Sequence, residues 1–557
     1  MKLRSIGLFI LAGIVLGLGT GCGKKADSTG GAVSSGPIAR QDPFGKEDPV
    51  ITLSTVRTMD ATIRFDQSDP DKRSFDENRW NRIFLEELGI NLTNKWIASD
   101  ANAELTRWNT TIASGDIPDF ARVNDQVYKL LVDADLVAEM GDILPSYGSD
   151  QFLNMLSPVD YNQMSPYGKL LGFPGSQKGY HFTSVMWLRK DWLDKVGLPV
   201  PETIDDAINA ARAFKAGNLG GNETIGFLFS NNLSGGASKF RVGDGKWDGF
   251  FNAYGAYLNI WLERDGKLVY SSIQPEVKTA LLALQALYEE GTINKDFAVT
   301  NDGLAREYVT SGKTGVFYTT ASHGTQSLQV LHNNDPTADI INILPPPAKK
   351  GEKIFIQTNN PKPTRIFVSK RTQHPGAIVK MANLTEELRH TKYEYSYDDG
   401  EGFQYYKFLP WGFFAGTYDD LLKGHGFRYA DEHNGSLDEI PGDLWRYQYR
   451  EQYLKGKDGS VPAFFWHTLC NGPNGSFTKL YDAYQAGQLL IDSYVGLPTE
   501  TQSLMGDILL GDLESAMMEV VMGADISLFD RAASKWLNDG GNKIIEEVNQ
   551  WYKSLKE

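Results

Sequence analysis

Cysteine is nearly absent from this chain of 557 residues, which contains Cys22 and Cys470 and no other. So few cysteines exclude a disulfide framework, and a chain of this length has to be stabilised by large hydrophobic cores. Histidine is also scarce, because its eight residues are scattered without the spacing that places two ligands on one face of a helix. The sequence therefore predicts no metal centre built on histidine or cysteine.

Motifs for covalent chemistry are missing as well. The triplet Gly312-Lys313-Thr314 matches the end of a phosphate-binding loop, but Glu307 stands where that loop requires its first glycine. The Gly-x-Ser-x-Gly pattern of an exposed nucleophile is absent. These absences favour a protein that binds its ligand without altering it. A secreted polysaccharide hydrolase or lyase stays open as an alternative, because paired carboxylates occur throughout so acidic a chain and identify nothing.

The hydrophobic run at the N-terminus, from Ile6 to Leu18, is short and follows two basic residues. It is too brief to span a bilayer and is typical of a secretory signal peptide, predicted here over residues 1–21. The small residues before Cys22 resemble the lipobox at which bacterial lipoproteins are cleaved and acylated, although Gly19 stands where a leucine is usual. We therefore expect lipidation of Cys22, with residues 22–47 forming the lipid anchor and a flexible tether.

Positive charge is in deficit. The whole chain has 55 basic and 70 acidic residues, a formal charge of −15, and loss of the signal peptide leaves 53 basic against 70 acidic, or −17. A surface this acidic is a poor partner for nucleic acid or anionic lipid. Association with a membrane is therefore expected through the lipid anchor alone.

Alternating strand and helix patterns predict an α/β fold. Residues Pro49 to Val56 are β-rich, and Asp76 to Leu88 repeat apolar residues at helical spacing. A second helix is predicted after Thr203, a good N-cap, and a third from Pro275 to Gly291. Two amphipathic helices end the chain and are broken at Gly540-Gly541. About 500 residues beyond the tether exceed one domain and predict at least two lobes.

Aromatic residues are the main positive signal for function, with 12 Trp, 25 Tyr and 28 Phe. Sugars present flat apolar C–H faces and a rim of hydroxyls, so aromatic rings beside planar polar groups are typical of a sugar site. For any single aromatic, packing in a core is the commoner role. The strongest clusters are Trp247–Phe251, Tyr405–Trp411, Trp445–Tyr449 and Phe464–His467. Their joint abundance predicts a carbohydrate ligand, and the length of the chain favours an oligosaccharide.

Seven short motifs follow one another along nearly the whole mature chain. Among them are Ser114 to Phe120 (SGDIPDF), Trp187 to Leu193 followed by Gly197 to Pro201, Asp265 to Tyr270, and Ser311-Gly312-Lys313. Each is weak alone, but in this order they resemble the family 1 extracellular solute-binding proteins, the ligand-capturing components of carbohydrate ABC importers. Within the first motif, Asp119 is expected to be structural and to brace the next element.

The resemblance implies a two-lobed periplasmic-binding-protein fold with a hinge and a cleft between the lobes. The first lobe would comprise residues 48–178 and about 360–420, and the second about 183–355 and 425–557. Closure of the hinge around the sugar would present a joined surface to the permease subunits of an ABC transporter. The protein would be a monomer on the extracytoplasmic face of the cell membrane, or in the periplasm if an outer membrane is present. A surface sugar sensor would share these features and stays open as a second alternative.

Ligand-binding residues are predicted from their positions in this fold. They are Arg57, Asp60, Asn124 and Asp125 on the first lobe, Tyr180 and His181 on the cleft floor, and Trp247, Phe250, Tyr318, His323 and Trp466 on the second lobe. Trp247 is expected to be an exposed stacking plate, because its neighbours Asp244, Gly245 and Asp248 are polar or turn residues.

No cofactor is predicted. Long members of the family often carry an Asp- and Asn-rich calcium loop after the helix that ends here at Phe214. In this chain residues 216–223 contain too few carboxylates for the six or more oxygen ligands that calcium takes. The stretch from Asp431 to Glu439 is acidic, but its spacing is also wrong. We therefore expect neither segment to bind a metal ion.

Overall fold

A computed structural model of the chain describes residues 39–59, 63–156, 158–174, 182–233, 243–322, 327–358, 365–391, 405–411, 469–470 and 472–555. The signal peptide, Cys22 and the tether up to residue 38 lie outside these described residues. Within the described ranges, every helix is either too short or too polar to cross a membrane.

Strands and helices alternate over much of the described chain. The strands are β1 (Ile51–Thr58), β2 (Ile90–Ala98), β3 (Phe120–Val123), β4 (Phe173–Pro174), β5 (Ser184–Arg189), β6 (Ile225–Leu228), β7 (Trp261–Arg264), β8 (Lys267–Tyr270), β9 (Thr314–Thr320), β10 (Ile340–Ile343), β11 (Ile356–Gln357), β12 (Arg365–Val368) and β13 (Leu489–Leu490). The helices are α1 (Arg79–Leu88), α2 (Ala101–Ser114), α3 (Asp125–Asp133), α4 (Ile143–Tyr147), α5 (Asp150–Met155), α6 (Pro158–Gln163), α7 (Lys190–Val196), α8 (Ile204–Ala216), α9 (Asp248–Ala253), α10 (Glu276–Glu289), α11 (Asp302–Thr310), α12 (Ser327–Asn334), α13 (Pro375–Thr391), α14 (Ser476–Gln485), α15 (Glu500–Val521), α16 (Ser527–Trp536) and α17 (Asn542–Ser554).

The first lobe is built on β1, β2, β3, β12 and β4. β1 and β2 are parallel, and β12 lies between β3 and β4 and is antiparallel to both. The Asp119 N–H donates to the Ser54 carbonyl at 3.0 Å, which places β3 beside β1. The Asp119 carboxylate also accepts from the N–H and the hydroxyl of Ser54, at 2.8 and 2.7 Å. Its predicted bracing role is therefore confirmed.

Helix α1 shows why the predicted pattern folds as it does. The Asn78 side chain caps its first turn, and Gly89 ends it in the left-handed region at φ 66°. Its buried face contains the predicted residues Trp80, Ile83, Phe84 and Leu88. The apolar repeat thus packs α1 against the sheet of the first lobe.

The second lobe is built on the sheet β10-β5-β9-β6. β5 is antiparallel to β9 and β10, whereas β6 and β9 are parallel. Helix α8 begins at the predicted cap, because the Thr203 hydroxyl accepts from the Asp206 N–H at 3.1 Å and the Asp206 carboxylate accepts from the Thr203 N–H at 2.9 Å. Phe214 at its other end packs edge-on against Trp192, with ring centroids 5.5 Å apart.

The C-terminal helices complete the core of the second lobe. Gln285 of α10 donates to the Val520 carbonyl of α15 at 2.6 Å. Tyr270 of β8 stacks on Trp536 of α16 with ring centroids 4.6 Å apart. The predicted break between the last two helices occurs at Gly540, whose φ of +152° suits glycine and few other residues.

Hydrophobic packing divides the two lobes. One core joins residues from Leu53 to Phe173 with residues from Ile366 to Trp411. The largest core of the second lobe joins residues from Met186 to Tyr318 with residues from Tyr494 to Val548. Each core covers its own sheet, so the described residues form the two-lobed α/β arrangement implied by the sequence. The exact lobe boundaries stay a prediction.

The chain passes from one lobe to the other between residues 174 and 182, between 358 and 365, and between 411 and 469. Thr183 and Thr358 stand at the second-lobe ends of the first two crossings. Both are fully buried, and their hydroxyls are hydrogen-bonded at 3.0 Å. This contact ties two of the crossing segments together where they leave the second lobe.

Candidate binding site

The strand ends of the first lobe gather at the edge from which the crossings leave. Arg365, the first residue of β12, is paired in register with Val123 at the end of β3 and with Pro174 at the end of β4. β1 runs beside β3 and ends at Thr58. Ligands of open α/β sheets bind beyond the carboxyl ends of the strands. We call this edge the first-lobe wall of the candidate site. It extends across the sheet from Thr58, at the end of β1, to Asn124, which follows β3.

Arg57 lies at this wall, but its side chain is largely committed to the protein. It is 8% exposed, and its guanidinium donates to the carbonyls of Phe408 and Leu409 and lies over the Phe75 ring, 5.1 Å from the centroid. These contacts tie β1 to the segment that enters the third crossing. Burial lowers the pKa of Arg57 to about 9, with a nearby Asp76 carboxylate raising it and Arg122 lowering it. Contact of Arg57 with a ligand stays a prediction.

Asn124 and Asp125 have different surroundings. The Asn124 side chain accepts from the Val127 N–H at 2.9 Å and so caps α3, while the residue itself remains exposed. Asp125 accepts from Arg365 Nε at 2.8 Å, and that guanidinium is buried and lies over the Tyr128 ring. Asp125 therefore joins α3 to β12, and Asn124 caps α3 at the exposed surface. Direct ligand contact by either residue stays a prediction.

Sequence reasoning missed Arg122, the one charged residue within β3. Its neighbours Ala121 and Val123 are buried, whereas Arg122 is exposed. Its guanidinium makes no hydrogen bond or ion pair with the described part of the chain. Protein atoms crowd around it nevertheless and lower the pKa of its guanidinium, while Glu104 raises it. Arg122 is therefore an exposed cation near the end of β3 without an ion-pair partner among the described residues.

Glu104 of α2 completes this wall. One of its carboxylate oxygens accepts from the Thr58 hydroxyl at 2.7 Å, which fixes the side chain beside the end of β1. The sequence signal for Arg122 is a lone arginine in an otherwise apolar strand, two residues before the predicted Asn124. The wall thus presents one guanidinium, one carboxylate and one amide, which are the planar groups that bind sugar hydroxyls or acidic substituents.

The three predicted aromatics that the structure describes on the second lobe are buried. Trp247 has no exposed surface, its Nε1 donates to the Ser230 carbonyl at 2.7 Å, and its ring contacts Phe229, Phe251 and Phe297 at centroid distances of 5.3, 6.1 and 5.6 Å. Phe250 and Tyr318 are equally buried, and burial raises the pKa of the Tyr318 hydroxyl well above its usual range. The expectation of an exposed Trp247 is wrong, and these rings offer no free face to a sugar in this structure.

The reason lies in the polar neighbours of Trp247, which turn inward with it. Lys246 and Asp248 face each other at 3.5 Å with side chains 3% exposed. Asp248 also accepts from the Ser184 hydroxyl at 3.3 Å, and Asp244 from Ser327 at 2.6 Å. These buried charged side chains have partners within the lobe. Polar residues next to Trp247 in the sequence therefore did not indicate that its ring is exposed to solvent.

The remaining predicted site residues lie outside the described ranges. They are Asp60, Tyr180, His181, His323 and Trp466, together with the lipidation residue Cys22. Their roles stay predictions. The acidic stretch from Asp431 to Glu439 is likewise outside these ranges.

The segment considered for calcium, residues 216–223, lies within the described chain. Its single carboxylate, Glu223, pairs with Lys313. In the ranges that the structure describes, no three His, Cys, Asp or Glu side chains come together in a way that could hold a metal ion.

Comparison with known proteins places this chain in a family. The profile of a family described as bacterial extracellular solute-binding protein matches residues 71–384. Lipoprotein LipO of Bacillus subtilis is 24% identical over 81% of this chain and 84% of its own length, and the polygalacturonan/rhamnogalacturonan-binding protein YtcQ of the same organism is 24% identical over 90% and 92%. The Streptococcus pneumoniae ABC-transporter substrate-binding protein FusA, solved with kestose, superposes with a TM-score of 0.55 at 17% identity, covering 91% of this chain and 99% of that one. Because the family profile spans more than half of the chain, this protein belongs to the bacterial extracellular solute-binding proteins.

Proposed function

We propose that this protein captures an oligosaccharide between its two lobes and delivers it, unaltered, to the permease subunits of an ABC importer. The observation that carries the proposal is the division into two α/β cores, with the chain crossing between them beside a wall of polar groups on the first lobe. A cleft between lobes is the preferred place for a small-molecule site.

Relatives support carbohydrate as the ligand. YtcQ is named for binding polygalacturonan and rhamnogalacturonan, and FusA was solved with kestose, a neutral sugar. The buried aromatics no longer supply that argument, since Trp247, Phe250 and Tyr318 belong to the core of the second lobe. Carbohydrate capture therefore rests on the relatives together with the polar wall.

Hinge closure is the mechanism that fits this architecture. A sugar that contacts both lobes only when they are closed shifts the population towards the closed form. The buried hydrogen bond between Thr183 and Thr358 holds two crossing segments at a fixed spacing at the second lobe. Each lobe has its own hydrophobic core, so closure would move each lobe as one body.

Acylation of Cys22 would hold the protein at the extracytoplasmic face of the membrane as a monomer. The lipobox-like sequence and the polar tether support this part of the proposal, as does the likeness to LipO, which is named a lipoprotein. Replacing Cys22 by Ser should release the protein from the membrane fraction on cell fractionation, with the unchanged chain as the control. Membrane association that survives the substitution would count against the anchor.

Thermal shift against a panel of neutral and acidic oligosaccharides tests the capture of a sugar, because a ligand that binds the folded state alone raises its melting temperature. Mass analysis of each sugar after incubation tests whether it is altered. We expect at least one sugar to raise the melting temperature and every sugar to keep its mass. Shortened or unsaturated products would instead identify a hydrolase or a lyase. Binding with no loss of uptake in cells that lack the gene would favour a sensor.

A further inference from the structure

We propose that the sugar carries carboxylate groups and that Arg122 binds one of them. The inference rests on the proposed function and adds the substrate class, an oligosaccharide that contains uronate residues. The family likeness does not decide this point, since its named members include proteins associated with acidic pectic polymers and with the neutral sugar kestose.

The position of Arg122 is the first argument. It is the third residue of a four-residue strand whose other members, Phe120, Ala121 and Val123, are buried. Arg122 instead reaches accessible surface at the carboxyl edge of the sheet, beside the exposed Asn124. The strand therefore presents a cation at the place where the fold binds its ligand.

The lack of a partner is the second argument. Arg189 is held by both oxygens of Asp191 at 2.7 Å, and Arg365 by Asp125 at 2.8 Å. Those two guanidinium groups have carboxylate partners within the protein, whereas Arg57 donates to backbone carbonyls. Arg122 makes no such ion pair with the described residues. A guanidinium matches a carboxylate in a planar, two-pronged geometry, so Arg122 is suited to bind the carboxylate of a ligand.

The charges around Arg122 are the third argument. Glu104 is near enough to act on Arg122, yet it does not form an ion pair with it and already accepts from Thr58. Arg57, from the neighbouring strand, adds a second positive charge whose hydrogen bonds all go to neutral carbonyl groups. Asp76 acts on Arg57 and Glu104 on Arg122, but neither carboxylate forms an ion pair with its arginine within the described residues, so a neutral sugar would add no anion to these two positive charges. A uronate would supply that anion, and Glu104 and Asn124 would remain for its hydroxyls.

Isothermal titration calorimetry of the purified protein tests the inference. The probes are tetrasaccharides of galacturonate, guluronate, mannuronate and glucuronate, each paired with its carboxyl-reduced neutral counterpart, in a buffer with EDTA. The variants are Arg122→Gln and Arg122→Lys, with Arg531→Gln as the matched control. Arg531 is an exposed arginine on α16 that donates to Ser527, so its replacement removes the same charge far from the first-lobe wall.

We expect at least one acidic tetrasaccharide to bind, and its reduced counterpart to bind at least about tenfold more weakly, because hydrogen bonds to charged groups are lost. Arg122→Gln should weaken binding about ten- to a hundredfold, Arg122→Lys should fall between, and Arg531→Gln should match the unchanged protein. If Arg122→Gln fails to fold, two measurements still test the inference. They are the affinity of the lysine variant and the ratio of the unchanged protein's affinities for the acidic sugar and its reduced counterpart.

Two results would overturn the inference. Equal affinity for acidic and reduced sugars, or full affinity in both Arg122 variants, would refute the recognition of a uronate by Arg122. The proposed capture of a sugar would be unaffected. Failure of every acidic and neutral sugar to bind would refute the proposed function together with the inference.

Discussion

Trp247→Ala is predicted to destabilise the second lobe without removing a side chain that contacts the sugar. The side chain has no exposed surface and packs among Phe229, Phe251 and Phe297, so its removal opens a cavity that rigid rings cannot fill. Truncation of a buried tryptophan costs about 3–5 kcal/mol of unfolding free energy. The lost hydrogen bond from Nε1 to the Ser230 carbonyl adds about 1 kcal/mol.

The assay is thermal unfolding followed by near-ultraviolet circular dichroism, with sugar affinity measured on the same sample. For a lobe of this size, 3–5 kcal/mol corresponds to a fall in Tm of about 6–20 °C. Trp247→Phe separates the two contributions, because it keeps an aromatic ring and removes the hydrogen bond. Trp551→Ala is the matched control, since Trp551 is partly exposed and its loss should cost less. Unchanged melting with strongly weakened binding would refute the reasoning and restore the stacking role of Trp247.

Three further substitutions test the packing of the lobes, two in the second lobe and one in the first. Gly249→Ala places a Cβ 2.2 Å from Cε1 of the buried Tyr318, and we expect a loss of about 1–3 kcal/mol by denaturant unfolding. Gly511→Ala, which meets open space within α15, should instead stabilise by up to about 1 kcal/mol, and equal effects of the two would contradict the model of the core. Asp125→Asn leaves the buried Arg365 guanidinium without its carboxylate and should cost about 3–5 kcal/mol. A melting temperature within a degree or two of the unchanged protein would show that this ion pair does not join α3 to β12.

Regular helices were the most predictable part of the fold. Thr203 and Asp206 form the cap that the sequence indicates, and the apolar faces of α1 and α10 are buried where their spacing places them. These features depend on local spacing and capping, which a single sequence records. The order of short motifs also indicated the family, whose profile matches residues 71–384.

The candidate site was less predictable, because it depends on which polar groups satisfy one another across the fold. Trp247 was expected at the surface because Asp244 and Asp248 stand beside it in the sequence. In the structure Asp248 is buried, where it pairs with Lys246 and accepts a hydrogen bond from Ser184. The opposite error concerns Arg122. A single charge in a short apolar strand carries no local signal that it lacks a partner, and that property becomes visible when the neighbouring strands are in place.

Closure of the two lobes around the sugar is the central claim, and small-angle X-ray scattering measures it most directly. The profile should be recorded with and without the tightest-binding oligosaccharide of the panel, at a concentration well above its Kd. We expect the radius of gyration to fall on binding and the largest dimension to shorten, as the lobes rotate together. Identical profiles for the free and the saturated protein would contradict capture by hinge closure.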